Sequence, residues 1–535
     1  MALKTNSVQI VSIILTLIIV ELHLLYAFNA GGFWRDEANT LAMAELPSVM
    51  SIWHHLEYDS FPMLWFLVLR GFKWIGVSGD LGFRLIGCGI GLGIIAALWI
   101  NAHLMKFRYP LLSLALIGFS PTLLLWGDSM RAYGFGALLI LLVFPMLYKV
   151  VTAPSKSVVV LATILSICSV QTLYHNAVII FAAVMAAAYI AFRNQLWYRV
   201  AMLFGIGFIS AVSLIPYVST IYNVKEWSVL FKVTEFTLPL FWERFSMALS
   251  AAGYGMHWVW TVLIISAIIL TIFLQPFTQG IQKENDGEAA QYCVVFLLIC
   301  IPSYYCFLWF LSYPTQPWYY VALMVVIAVA VDGALSAFDK KLLGSYARQL
   351  IAVSIVFLGF LPMLDAAKTR QTNSDLIAAQ LQVSANPGDF ILVIPWYYGV
   401  SFDRYYTGAT PWMTLPIISD HKTHRYDLSK EQMVLKEPLV SIIDAMTNTL
   451  KSGNRIYLVG STIVPPIGKL LTLKPAPSDK HGWNEGAYSY SWMTQVGYFL
   501  QNRVTKVEKF NLPDVFHISP YENMGLMVVQ GWKKL

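Results

Sequence analysis

A chain of 535 residues that is 57% hydrophobic and only 12% charged is not an ordinary soluble protein, whose charged share is about 25%. Its net charge of +6 would suit nucleic acid in a soluble protein; in so apolar a chain it marks Lys and Arg retained on one side of a membrane, and nucleic acid drops out as a partner. Aromatic residues make up 14%, with 18 Trp and 28 Tyr, types that settle at membrane–water interfaces.

The first apolar run, 9–27, is longer than a signal-peptide core and lacks a small-x-small cleavage site, so it reads as a retained anchor. A hydrocarbon core of about 30 Å needs about 20 apolar residues in a helix. Further candidate spans follow at 81–105, 109–127, 132–150, 157–173, 176–192, 198–219, 258–276, 291–313, 319–337 and 349–364. Segment 62–78 is apolar but short and holds Arg70 and Lys73. If it lies on the outer surface and Lys4 is cytoplasmic, then Lys106, Arg108, Lys149, Lys156, Arg193, Arg199, Lys283, Lys340, Lys341 and Arg348 all fall inside, as the positive-inside rule asks. If it crosses, every one falls outside. The sequence therefore predicts about eleven transmembrane helices. In a bacterium the C-terminus then lies in the periplasm, beyond the inner membrane. Two long outer loops result, 28–80 and 220–257.

The membrane domain covers 1–364, and a soluble domain covers 365–535. In the latter GDFILVIPW (388–396) and NRIYLVGS (454–461) read as buried strands. Between them EPLVSIIDAMTNTLKSG has helical periodicity ending at Gly453. VEKFNLP and MGLMVVQGW supply further strands, giving an α/β domain. It has no Gly-rich phosphate fingerprint and no cysteine. The five cysteines, Cys88, Cys168, Cys293, Cys300 and Cys306, all lie in apolar runs, with no zinc-site spacing.

Carboxylates at the membrane edge are costly and mark function. Trp34-Arg35-Asp36-Glu37 follows the first span. One acid there would read as a helix cap; two acids beside an Arg and a Trp read as a site. Side chains of adjacent helical residues point about 100° apart, so one of Asp36 and Glu37 faces a given reactant. Asp59 in YDSFPMLWF competes with a plain turn. Asp128 and Arg131 in LLLWGDSMRAYGF fall on the same side by parity, and a guanidinium fork there suits phosphate. His175, in LYHN, and Trp318 and Tyr319, in TQPWYY, sit at outer span ends, where a structural His or an aromatic belt would also fit.

The ordered set of these segments resembles the GT-C superfamily of membrane glycosyltransferases, in particular the group of protein O-mannosyltransferases and lipid A aminoarabinose transferases with their bacterial relatives. The resemblance spans the whole chain. FWRDEANTLAMAEL resembles the family's acidic first-loop motif, and YDSFPMLWFLVLRGF its Asp-x-His-Pro-Pro segment, with Ser60 and Phe61 in place of His-Pro. DSMRAYGFGALLILL, LYHN (Asn176 where an aromatic is common) and QPWYYVALMVVIAVA follow in family order, as do GDFILVIPWYYGVSFDRYYTG and NRIYLVGS in the tail.

The resemblance implies a GT-C fold and sugar transfer, with inversion, from a polyprenyl-phosphate donor to a hydroxyl of a glycan, glycolipid or protein on the outer face. It places Asp36, with Glu37, at the catalytic position, and Arg35, Asp59, Asp128, Arg131, His175, Trp318 and Tyr319 in the substrate cavity. Lys225, Lys232 and Arg244 are weaker phosphate candidates. No cofactor is required; a divalent ion shared by Asp36, Glu37 and Asp128 is the secondary option. A transporter or flippase is the main competing reading. It lacks support from inverted repeats or paired broken helices. A membrane-anchored binding or assembly protein is a third.

Overall fold

The computed structural model describes the chain except residues 1–6, 60, 108, 229–235, 252, 254, 275–283, 313–314, 340–343, 477–483, 511–516 and 534–535, and the side chains of 224–228, 274, 284–286 and 344. Lys4, Ser60, Arg108, the Lys225 side chain, Lys232, Lys283, Lys340 and Lys341 therefore lie outside the described residues.

Among the described residues, nine helices are long and apolar enough to cross a bilayer: Ser7–Asn29, Gly79–Leu104, Ala132–Thr152, Asn176–Arg193, Trp197–Asn223, Met256–Phe273, Gly287–Leu311, Pro317–Ser336 and Ser345–Ala367. The chain is an integral membrane protein. Two expected spans differ in form. Residues 156–170 make a helix of only 15 residues, about 22 Å long. Residues 111–127 form two helices, Leu111–Gly118 and Pro121–Gly127. Pro121 lacks an N–H and can start a helix but not continue one. The break is tolerated because both halves are buried in protein rather than facing lipid.

The broken pair still runs the depth of the bundle. Its start meets Asp332, whose Oδ2 accepts Ser113 N (3.0 Å) and Ser113 Oγ (2.8 Å). Its end places Trp126 4.4 Å from Trp318 between ring centroids. Asp332 and Trp318 mark opposite ends of the Pro317–Ser336 helix, the central one, with 94% of its apolar window buried. Segment 62–78 forms an 11-residue helix, Leu64–Trp74, too short to cross.

Residues 365–535 form a five-stranded sheet with helices on both faces. The strands are β1 (Phe390–Ile394), β2 (Trp412–Thr414), β3 (Ile456–Gly460), β4 (Lys506–Lys509) and β5 (Leu526–Gln530), in the order β2-β1-β3-β5-β4. β1 pairs parallel with β2 and β3, whereas β5 runs antiparallel to β3 and β4. Phe390, Leu392 and Ile394 pack one way, with Ile442, Met446 and Trp492; Ile391 and Val393 pack the other way, with Ile377, Leu381 and Phe402. Both faces are covered, so β1 and β3 are apolar at every position and do not alternate.

The domain sits on the first loop. Gln371 N donates to Ala30 O (2.8 Å), Phe33 N to Tyr405 Oη (2.6 Å), Arg35 N to Glu522 Oε2 (2.9 Å) and His424 N to Asn39 Oδ1 (2.9 Å). Gly31, at φ +64°, lies under the Arg370 guanidinium where a Cβ would come within 2.3 Å of Cζ.

At the opposite end of the bundle Arg348, 4% exposed, pairs with Asp332 at 2.5 Å and with Asp339. Removing one partner strands buried charge, so Arg348→Met should cost about 3–5 kcal/mol. Thermal unfolding in detergent reads this; an unchanged midpoint would show that the clasp carries no stability.

Candidate active site

The Arg35–Glu45 helix places two adjacent acids on different sides. Glu37 turns into the bundle and is fully buried. Its carboxylate takes both arms of Arg84 (2.7 and 3.0 Å) and Met130 N (2.9 Å). Arg84 in turn donates to Gly31 O and Gly32 O (3.2 and 2.7 Å). Asp36 turns the other way and keeps 23% of its side chain exposed. Its Oδ1 lies 3.6 Å from Arg35 Nε and 3.3 Å from His424 Nε2. No partner is recorded for Oδ2 among the described residues.

Arg131 joins this helix to the next loop. Its Nη1 donates to Asp36 O (3.2 Å), Thr40 Oγ1 (2.8 Å) and Asp59 Oδ2 (2.8 Å). Asn39 Nδ2 donates to the same Asp59 oxygen at 3.0 Å. The guanidinium lies over Phe61, 4.3 Å from the ring centroid, with Nε buried and unpartnered. Asp59, 6% exposed, is thus a structural partner of Arg131 as well as a neighbour of the site. Asp128 is 2% exposed, and its two oxygens approach His23 Nδ1 at 2.9 and 2.7 Å. Gly91 makes the room for it, since a Cβ there would lie 2.0 Å from Asp128 Oδ1.

Asp36, Glu37 and Asp128 therefore turn to different partners, His424 with Arg35, Arg84, and His23, and do not converge on one point. Among the described residues no group of three or more His, Cys, Asp or Glu is placed to hold a metal ion. Arg35 is not a free phosphate fork: its Nη1 donates to Tyr521 O at 2.8 Å and its plane packs against Trp34 and Tyr397. Arg244 lies 3.9 Å from Glu243 with 33% of its side chain exposed.

A run of aromatic contacts leads away from Arg131. Phe61 meets Tyr133 (5.1 Å), Tyr133 meets Tyr319 (5.8 Å), and Tyr319 meets His175 (5.5 Å). Trp318 packs on Trp34 and Tyr521. Several buried polar atoms here have no hydrogen-bond partner: His175 Nδ1, Tyr174 Oη, Trp34 Nε1 and Arg131 Nε. Leaving such an atom unsatisfied costs about 1–3 kcal/mol.

Burial pushes the Asp36 carboxyl upward, but the His424 imidazole and the guanidiniums of Arg131 and Arg35 outweigh it and hold the group well below the ordinary carboxylate range. Burial pushes His175 down to about 4, which leaves it neutral at pH 7. Glu522 moves the other way. Burial lifts it to about 7, against weaker downward pulls from Arg35, Ser401 and Thr372. His424, Glu522 and Arg84 were not singled out from the sequence. Arg84 alone left a signal there, as a charge within the candidate span 81–105.

No family model matches the chain, and no curated protein matches it. Two solved structures are similar to it. One is ArnT from Cupriavidus metallidurans bound to undecaprenyl phosphate, at 13% identity and a TM-score of 0.48 over 97% of each chain. The other is the same protein in the apo state, at 10% identity and a TM-score of 0.48 over 97% of each chain. At that identity and TM-score, no residue role is carried across.

Burial of Glu522 makes stability pH-dependent. The folded state keeps its proton to about pH 7, whereas the ordinary value is 4.5. Between those values the folded state alone binds the proton, so raising the pH weakens the fold, and the loss is complete above about 7. A displacement of that size corresponds to roughly 3 kcal/mol. The unfolding midpoint in detergent should fall between about pH 5 and 8, and Glu522→Gln should flatten that fall. An equal slope in the variant would assign the pH dependence elsewhere.

Proposed function

We propose that the protein is a glycosyltransferase that moves a sugar from a polyprenyl-phosphate donor to an acceptor hydroxyl, with Asp36 as the base. The observation that carries this reading is the asymmetry of the acids. Glu37 and Asp128 have their oxygens committed to Arg84, Met130 and His23, whereas Asp36 is partly exposed and has one oxygen held by Arg35 and His424 and the other without a partner among the described residues.

The acceptor oxygen attacks the anomeric carbon from the face opposite the phosphate. The carbon–oxygen bond to phosphate breaks, its electron pair leaves on the lipid phosphate, and the configuration inverts. The acceptor proton passes to Asp36. A lipid phosphate leaves without being protonated, so one carboxylate suffices where a glycosidase needs two. A carboxyl held as low as Asp36 is a weak base toward a free alcohol. It serves once carbon–oxygen bond formation has made the acceptor oxygen acidic, so proton transfer comes late. Arg131, whose guanidinium already joins Asp59 to the Asp36 helix, is the cation assigned to steady the leaving phosphate. Tyr174 and neutral His175 suit sugar hydroxyls, with Tyr319 and Trp318 as apolar walls. Glu37 and Asp128 position the loop and do not react. The chemistry calls for no cofactor; the acceptor is a glycan, glycolipid or protein hydroxyl.

The full-length protein should release undecaprenyl phosphate from at least one of a panel of undecaprenyl-phosphate-linked hexoses and pentoses, given membrane extract as acceptor. Asp36→Asn should keep the fold and slow transfer by about 10²–10⁴-fold. Glu37→Gln should instead lower thermal stability, because it breaks a buried ion pair. A fully active Asp36→Asn protein would remove the base assignment.

The reading also puts the acid end of the bundle and residues 365–535 outside the cytoplasm, in the periplasm of a bacterium with the bundle in its inner membrane. The short inner loops carry the Lys and Arg. An alkaline phosphatase fusion at residue 535 should be active. Activity only from a cytoplasmic reporter at that position would reverse the orientation.

A further inference from the structure

We propose that His424, supplied by the C-terminal domain, is a positioning residue that fixes the Asp36 carboxylate through its Nε2, 3.3 Å from Asp36 Oδ1. The inference rests on the glycosyltransferase reading and deepens it, for it makes the soluble domain part of the site.

The loop that carries His424 is anchored on the helix that carries Asp36. His424 N donates to Asn39 Oδ1 at 2.9 Å, and Asn39 stands three residues after Asp36, on the same helical face. The same Asn39 binds Asp59, the partner of Arg131. Arg425 braces the loop from the next position. It bonds Asp420 (3.0 Å) and both oxygens of Asp427 (2.9 and 2.6 Å), while Tyr58 Oη donates to Asp427 Oδ2 at 3.2 Å. The backbone of residue 424 is thus fixed from two sides.

The ring itself is held by aromatic faces. It stacks on Tyr426 at 5.7 Å with an interplanar angle of 14°, and Trp396 meets it edge-on at 6.3 Å. Its side chain is 6% exposed, and neither ring nitrogen makes a hydrogen bond. A buried imidazole without a partner costs about 1–3 kcal/mol. Among the described residues the charged group its Nε2 reaches is the Asp36 carboxylate, just beyond good hydrogen-bond geometry. Catalytic contacts of this kind are often long before substrate is bound and tighten with it.

The groups that face Asp36 are the guanidiniums of Arg35, from its own helix, and Arg131, from the loop before residue 132, and the imidazole of His424 from the C-terminal domain. Arg35 and His424 both approach Oδ1, so together they fix the plane of the carboxylate and leave Oδ2 to the acceptor hydroxyl. Arg35 spans 3.6 Å and is also spent on Tyr521 O. His424 is the group that has no other task. A general base oriented by a third group is a recurrent arrangement, because a carboxylate free to rotate presents the wrong lone pair most of the time.

The test uses the full-length protein and the undecaprenyl-phosphate-linked sugar from the panel that the wild type turns over fastest. His424→Ala should lower turnover by roughly tenfold to a hundredfold while undecaprenyl phosphate binding stays unchanged. The double variant Asp36→Asn/His424→Ala should be no slower than Asp36→Asn alone, since residues acting as a unit are not additive. Added imidazole should restore part of the lost turnover in His424→Ala, which a merely structural role would not allow. Fully additive losses, an undiminished rate, or a loss that parallels thermal destabilisation without imidazole rescue would overturn the assignment. These outcomes leave the glycosyltransferase reading intact. That reading falls separately, if the wild type turns over no member of the panel.

Discussion

The geometry of the site depends on one buried ion pair. Arg84 reaches from a transmembrane helix into the first loop and meets Glu37 through two parallel hydrogen bonds. Neither group has access to water, so neither can let go without a charge left stranded. The pair also fixes Gly31, Gly32 and Met130 through backbone groups. Those residues flank the Arg35–Glu45 helix on one side and the Asp128–Arg131 turn on the other. The separation of Asp36 from Arg131, and of both from Asp128, is set by that clamp.

Adjacent acids on one helix then divide their work. The turn of about 100° between neighbours sends Glu37 into the bundle and Asp36 toward the soluble domain. Asp36 is ringed by cations, which keeps it charged, and partly open, which keeps it able to act. Glu37 has the opposite character: it is fully satisfied and fully buried. One pair of letters in the sequence thus places a partly open carboxylate beside a buried one that clamps the loop.

Much of the architecture was legible in the chain. Long apolar runs fix most spans because every backbone group in lipid must be satisfied within its own helix. The apolar strands 390–394 and 456–460 were legible because both faces of the sheet are covered. The clustering of Asp36, Asp59, Arg131, His175 and Tyr319 at one end followed from counting crossings, which is a parity and survives errors in span length. The break at Pro121 was not seen, since hydropathy averages over it. β2 was missed because three residues carry no periodicity. His424 and Glu522 were invisible for a deeper reason. Their partners are Asp36 and Arg35, several hundred positions away, and no local pattern encodes such a meeting. Arg84 stood in plain view within an apolar run, and the cost of a charge there pointed to a buried partner without naming it.

The soluble domain is more than a lid by position. Charges at a bilayer edge are screened by water and salt, and a guanidinium or carboxylate there contributes little to the orientation of a reactant. The domain changes that environment. Tyr397, Tyr398, Tyr521 and Glu522 close over Arg35, and Trp396, His424 and Tyr426 close beside Asp36. The same ionic groups act more strongly once water is displaced. The contacts that dock the domain include Phe33, Arg35 and Asn39 of the loop that carries Asp36, together with Tyr26, Asp80 and Trp318 of the bundle. Docking therefore sets the surroundings of Asp36, since His424 and Arg35 are both held through it.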